Sequence, residues 1–137
     1  LYIGRNFMTS LPNLTAIAPT ARKLIARYNR IVTIRQIDLF GISSITQLDL
    51  TGNPILALPD FLSGLPNVAQ LTLERVSFDC CKRMAGWKKS DAPSLRVDPK
   101  PCKDPVAYKT KDWTAISEFD LQVTPCSGKF STLLVGI

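Results

Sequence analysis

The sequence predicts an α/β solenoid, a coil of short parallel strands followed by a disulfide-bonded C-terminal cap. Two observations carry this prediction. A pattern of apolar residues and asparagine restarts every 23 or 24 residues, at Leu1, Leu24, Leu48 and Leu71. Self-similarity at a fixed period of this length is typical of solenoids. All four cysteines lie beyond the point where the repeat stops.

The residue types in each unit explain why the pattern predicts strands. Leucines at alternate positions, such as Leu48 and Leu50, place their side chains on one face of a short strand, which we expect to point inward. An asparagine follows the strand in three units, at Asn6, Asn29 and Asn53. Its amide both donates and accepts, so stacked copies can satisfy backbone groups where the chain bends.

The stretch from Ile45 to Leu73, ITQLDLTGNPILALPDFLSGLPNVAQLTL, holds one complete unit. It resembles the "typical" class of extracellular leucine-rich repeat proteins, whose unit reads LxxLxLxxNxLxxLPxxxFxxLxx. Ala26, Arg35 and Val76 depart from that pattern. The resemblance implies a leucine-rich repeat horseshoe segment with its parallel strands on the concave face.

We divide the chain into leucine-rich repeats at 1–75, a cysteine-rich cap at 76–127 and a tail at 128–137. Because the chain starts inside a unit, we expect it to be the C-terminal part of a longer array. An uncapped first strand would expose unpaired backbone groups. Self-assembly through this N-terminal edge is therefore a further expectation.

The cysteines Cys80, Cys81, Cys102 and Cys126 are expected to form disulfides. Adjacent cysteines in extended backbone point to opposite sides, so Cys80 and Cys81 should have different partners, which leaves two of the three connectivities open. No CxxC pair and no histidine is present to favour zinc, and we expect no metal site. Disulfides indicate an oxidising compartment, so we expect an extracellular protein, secreted or at the cell surface.

The order of cysteines resembles the C-terminal cap of extracellular leucine-rich repeat proteins, with Trp87, Pro105 and Phe119 at matching places. That family usually has one residue between the first two cysteines, whereas here they are adjacent. The resemblance implies the pairing of Cys80 with Cys102 and of Cys81 with Cys126.

The composition offers no catalytic machinery. The sequence has no histidine, no glycine-rich phosphate loop, no nucleophile elbow and no carboxylate pair of suitable spacing. We therefore expect no enzyme activity and no cofactor.

Function is then expected on the exposed strand face. Arginine and tyrosine are enriched at interface hot spots, and they cluster on the first two predicted strands. The candidate partner-binding residues are Tyr2, Arg5, Phe7, Arg27, Tyr28 and Arg30. The alternative is that they form only a solvated basic face.

Two classes of function fit this face. The favoured one is a recognition or adhesion module that binds a protein partner, or an anionic glycan given the net charge of +6. The other is a structural subunit of an extracellular filament or matrix assembly. Nucleic acid ranks third, because aromatic residues are not interleaved with the basic ones beyond the second strand.

Two further segments carry predictions. Asn13 begins the triplet Asn13-Leu14-Thr15, an acceptor sequence for N-glycosylation in a secreted protein. The tail SGKFSTLLVGI has an apolar run that includes Phe130 and Leu133. It suits a terminal strand packed on the cap or the start of a membrane anchor that continues after residue 137, since a spanning helix needs about 20 apolar residues.

Overall fold

The computed structural model of the chain describes residues 1–126. The α-helices among them are α1 (Leu14–Ile17), α2 (Phe61–Gly64) and α3 (Glu118–Gln122). The strands are β1 (Lys23–Ile25), β2 (Gln47–Asp49), β3 (Gln70–Leu73), β4 (Phe78–Asp79), β5 (Ser94–Val97) and β6 (Cys102–Asp104). Short 3-10 helices cover Gln36–Ile42, Lys82–Lys88, Val106–Tyr108 and Trp113–Ala115.

The larger sheet is parallel and has the order β1-β2-β3-β5. Its register aligns Leu24, Leu48, Leu71 and Leu95 across the four strands. The first three of these leucines are fully buried, which follows from the alternation of side chains along each strand. Tyr2 adds a single parallel bridge to Ile25 at the outer side of β1.

The hydrophobic core lies between this sheet and the short helices that connect its strands. Large side chains from the connections are almost fully buried against the strand leucines; among them are Leu14, Ile31, Leu39, Ile42, Ile45, Phe61 and Leu65. Neighbouring connections are also joined by polar contacts. The Gln36 amide donates to the Asp60 carbonyl and accepts from the Asp60 N–H, at 2.9 and 2.8 Å. The Asp60 carboxylate in turn caps α2 by accepting from the Ser63 N–H.

Buried asparagines join consecutive strands at the turn that follows each of them. The Asn53 amide group donates to the carbonyls of Leu50, in its own unit, and Ala26, in the preceding one, both at 2.9 Å, while its oxygen accepts from the Ile31 N–H. Asn29 makes the same bridge one unit earlier, to the Ala26 and Ile3 carbonyls and the Met8 N–H. Val76 occupies the fourth position and is buried.

A second, two-stranded parallel sheet pairs β4 with β6. The disulfides Cys80–Cys102 and Cys81–Cys126 fasten this part of the chain, and their pairing is the one implied by the resemblance. Trp87 is buried nearby, and the Phe78 ring meets the Trp113 ring edge-on at 5.8 Å. The two disulfides indicate an oxidising, extracellular-type environment.

The predicted solenoid, and with it the leucine-rich repeat horseshoe, is wrong for residues 1–126. These residues form two small sheets, of four and two strands, with a few short helices. The curvature of a solenoid accumulates from small rotations over many stacked units, whereas only three of the four strands in the larger sheet come from the repeated sequence. β5 comes from the cysteine-containing region, and the strands before and after it, β4 and β6, form the separate sheet.

The tail at 128–137, with its predicted terminal strand or membrane anchor, lies outside the described residues. Among residues 1–126, no helix combines the length and apolar character needed to cross a membrane.

Replacing Asn53 by alanine should strongly destabilise the fold. The substitution leaves the Ile31 N–H without its partner in a buried place, while the Leu50 carbonyl keeps the Asn53 N–H and the Ala26 carbonyl keeps the Asn29 amide. One unsatisfied buried group costs about 1–3 kcal/mol and each lost hydrogen bond about 0.5–1.5 kcal/mol, so we expect a loss of at least about 2 kcal/mol. Urea unfolding followed by circular dichroism, without reductant, measures the change.

Asn6→Ala is the matched control, because Asn6 occupies the equivalent position but is exposed and donates only to the Ile3 carbonyl. This variant should lose less than about 1 kcal/mol. Equal losses in the two variants would contradict the bridging role of the buried amide.

Paired cysteine substitutions should separate the two disulfides. Cys81→Ser with Cys126→Ser keeps Cys80–Cys102 intact and should give no free thiol on titration in denaturant, with a loss of about 3–4 kcal/mol in unfolding free energy. Cys81→Ser with Cys102→Ser removes one cysteine from each disulfide, so Cys80 and Cys126 lose their partners and the variant should give two free thiols. A Cys80–Cys126 link in that second variant would contradict the opposite orientation of the neighbouring cysteines.

Candidate functional site

The turn after each strand of the repeated region contains a residue in the left-handed conformation. These residues are Arg5, Tyr28, Gly52 and Arg75, with φ between 55° and 74°. Each of the first three donates its N–H, at 2.8–2.9 Å, to a carbonyl just beyond the next strand; the acceptors are Arg27, Thr51 and Glu74. At Arg75 the acceptor is instead the Asp98 carboxylate, at 3.1 Å. The residue directly after the left-handed one is the exposed Asn6 in the first unit and the buried Asn29, Asn53 or Val76 in the other three.

Three cations, the exposed Arg5 and Arg30 and the half-buried Lys23, lie over three aromatic rings across the first two units. Lys23 lies over the Tyr2 ring, Arg5 over Tyr28 and Arg30 over Phe7, with 5.3, 4.7 and 4.3 Å between the charged group and the ring centroid. We call these six residues the cation–aromatic row. Each pair joins residues 21 or 23 positions apart, so the row exists only when the two units are stacked side by side.

The cations of the row are not neutralised by carboxylates. Within the part of the chain that the structure describes, no ion pair includes Arg5, Lys23 or Arg30. A cation over a ring face is attracted by the ring's negative quadrupole but keeps its full charge. The row is therefore a positively charged surface whose side chains are already held in place.

Arg27 lies beside the row but has a different partner. Its Nε donates to the Asp49 carboxylate at 2.5 Å, and this hydrogen bond raises the pKa of Arg27. Asp49 is almost fully buried, and its other oxygen accepts from the Thr51 N–H at 3.0 Å. The guanidinium of Arg27 thus compensates a buried carboxylate, while about half of its side chain stays exposed.

Gly52 leaves the space that the Tyr28 ring occupies. A Cβ atom at this position would lie 2.4 Å from a carbon of that ring, and the φ of +74° also favours glycine. Tyr28 is half-buried as a result, and it presents one ring face to Arg5.

A polar groove of about 410 Å³ runs over the outward face of the larger sheet, next to the row. Tyr2, Lys23 and Arg27 line its basic end. The rest of its floor carries amides and charges of both signs, from Gln47, Asp49, Gln70, Thr72, Glu74 and Arg96.

The structure brings the six predicted partner-binding residues to one area. Tyr2 and Phe7 are 72% and 74% exposed, which is unusual for aromatic side chains in a small domain. Five of the six belong to the row, whereas Arg27 turns to Asp49. Their role in binding stays a prediction.

The sequence reasoning missed Lys23, which stacks on Tyr2, and the space provided by Gly52. Lys23 precedes Leu24, so strict alternation marks it as outward-facing and could have identified it. The contact between Gly52 and Tyr28 depends on neighbouring turns and leaves no local signal.

Two other clusters of side chains have structural roles. Asp79, Cys81 and Cys126 bring potential ligand atoms within 4.8 Å of one another, but the two sulfurs are bonded together and are not thiolates. The Lys88 ammonium lies over the Trp113 ring at 4.0 Å and donates to the Trp113 carbonyl. Burial lowers the pKa of Lys88, and this residue serves to fasten the segment around Trp113.

No protein-family model matches this chain, and no curated protein matches its sequence significantly.

Asn13 should carry an N-linked glycan when the chain is produced through a eukaryotic secretory pathway. The residue is exposed, and the Thr15 hydroxyl lies 2.5 Å from its side-chain oxygen. Thr15→Ala should abolish a mass increase that an N-glycan-removing enzyme reverses. Thr20→Ala, at an exposed position outside the triplet, should leave it unchanged, and an unmodified parent protein would contradict the prediction.

Proposed function

We propose that this chain is a non-enzymatic recognition module that binds a protein partner through the cation–aromatic row and the adjacent outward sheet face. The observation that carries the proposal is the row itself. It places three cations and three aromatic rings, with little carboxylate compensation, on the surface of two stacked units.

The energetics of interfaces favour this use of the row. Truncating a buried Arg, Tyr or Trp at a hot spot costs about 2 kcal/mol or more in binding free energy. Ordering a flexible side chain on binding costs about 0.5–1.5 kcal/mol. Because the rings already hold Arg5, Lys23 and Arg30 in place, part of that ordering cost is met during folding.

The extracellular setting is also part of the proposal. We infer that the protein is secreted or displayed at the cell surface, supported by its two disulfides and by the exposed acceptor triplet at Asn13. We further propose a relationship to extracellular leucine-rich repeat proteins, supported by the cysteine pairing and the asparagine positions. A longer natural sequence with additional units upstream of residue 1 would strengthen that relationship.

The test is a binding screen against an array of purified secreted proteins and receptor ectodomains. A partner found with the parent chain should bind Arg27→Ala/Tyr28→Ala/Arg30→Ala at least about a hundredfold more weakly, which corresponds to about 2.7 kcal/mol. Removing Arg27 leaves Asp49 buried without its cation, which could weaken binding through a loss of stability. The double variant Tyr28→Ala/Arg30→Ala keeps Arg27, and it should weaken binding of the partner at least about tenfold.

The matched control is Lys109→Ala/Lys111→Ala. Like the triple variant, it removes two exposed cations. It also removes a cation–ring contact elsewhere on the chain, that of Lys111 with the Tyr108 ring at 5.5 Å. Thermal unfolding checks that each variant is folded. A partner whose affinity is unchanged in folded Tyr28→Ala/Arg30→Ala would show that the row is only a solvated basic face.

A further inference from the structure

The cation–aromatic row has a charge and a spacing that specify the chemistry of its partner. We propose that it docks an extended acidic segment of the partner protein, whose carboxylates pair with Lys23, Arg5 and Arg30. This inference rests on the proposed function and adds the charge and the conformation of the bound segment.

The first argument is charge. Residues 1–47 hold six Lys or Arg residues and a single acid, Asp38. Asp38 is already paired with Arg35 at 2.9 Å, and the hydrogen bond from Arg35 lowers its pKa. The next acid along the chain, Asp49, is bound by Arg27. Among the described residues, Arg5, Lys23 and Arg30 therefore make no ion pair with a carboxylate.

The second argument is the geometry of the cations. A guanidinium whose flat face rests on a ring still presents N–H groups at its edge. That fork matches the two oxygens of a carboxylate. The guanidinium carbons of Arg5 and Arg30 lie 4.7 and 4.3 Å from the ring centroids of Tyr28 and Phe7, so each guanidinium is positioned on a ring and can offer its fork to a carboxylate.

The third argument is spacing. The three cation–ring pairs follow one another along the chain at positions 2, 5 and 7 of the first unit. A chain reaches at most about 3.6 Å per residue, so the Cα atoms of Tyr2 and Arg5 lie within about 11 Å of each other, and those of Arg5 and Phe7 within about 7 Å. Acidic side chains at alternate positions of an extended peptide share one face and are about 7 Å apart. Such a peptide can engage two or three cations together.

A uniformly anionic glycan fits the surroundings less well. The groove that continues from Tyr2 and Lys23 also carries the carboxylates of Asp49 and Glu74 and the amides of Gln47 and Gln70. Like charges oppose a sulfated or carboxylated chain there, whereas the mixed polar groups of a polypeptide can pair with these side chains. The observations therefore favour a peptide segment.

The test uses synthetic probes on the full chain. A labelled alternating Ser-Glu peptide of about ten residues places its carboxylates about 7 Å apart. A block peptide of the same composition, a Ser-Lys peptide and a heparin-derived oligosaccharide are compared with it. Fluorescence anisotropy is measured at about 0.15 M salt, where the screening length is about 8 Å.

The alternating peptide should bind the parent chain more tightly than the block peptide does, and the Ser-Lys peptide should not bind. Arg5→Ala/Lys23→Ala should weaken binding of the alternating peptide at least about tenfold. Lys109→Ala/Lys111→Ala, with the same loss of charge, should change the affinity by less than about twofold. Arg5→Lys should weaken binding partially, because it keeps the charge and loses the fork.

Four results would overturn the inference: no binding of the alternating peptide, equal binding of the block peptide, equal losses in the two double variants, or tighter row-dependent binding of the oligosaccharide. The proposed function is judged separately. If a protein partner depends on Tyr28 and Arg30 but tolerates Arg5→Ala/Lys23→Ala, recognition through this face stands and the acidic segment does not.

Discussion

The bridges made by the buried amides of Asn29 and Asn53 are the interaction on which the rest of the first three units depends. Each amide joins carbonyls of two consecutive units and also accepts an N–H from the earlier one. Leucine burial supplies more free energy, about 1.5–3 kcal/mol for each side chain, but it is not directional. The amide adds direction, because a shift of one residue between neighbouring units would leave several buried polar groups unpaired.

The hydrogen bonds of these asparagines between units also determine which side chains lie together on the surface. Where an asparagine turns inward, the preceding residue has a left-handed backbone and donates its N–H to the neighbouring unit. Arg5 and Tyr28 hold this place in the first two units, where Arg5 precedes the exposed Asn6 and Tyr28 precedes the buried Asn29, and their side chains form one of the cation–ring pairs. The row thus follows from the stacking of the units. A change that breaks the asparagine hydrogen bonds between the units should also separate the cations of the row from their rings.

The sequence predicted much of the local structure and less of its assembly. Strands beginning near Leu24, Leu48 and Leu71, and the disulfide bonds, follow from local pattern and composition. The horseshoe was wrong because a repeat predicts stacking but does not determine how far stacking continues. Three features have no local signal in a single sequence, because each joins residues more than twenty positions apart. They are the pairing of β5 with β3, the contact of Lys23 with Tyr2 and the ion pair between Arg27 and Asp49.

Arg27 shows why residue type alone does not identify the binding cations. Sequence reasoning grouped it with Arg5 and Arg30, and all three are exposed arginines of the same face. A buried carboxylate without a partner is costly, so Asp49 requires the charge of Arg27, and replacing Arg27 would alter stability together with binding. Arg5, Lys23 and Arg30 instead lie over aromatic rings and form no ion pair among the described residues. In the proposed function their charges are the ones that meet a partner, so the proposed surface is better defined by which cations lack a carboxylate than by which are exposed.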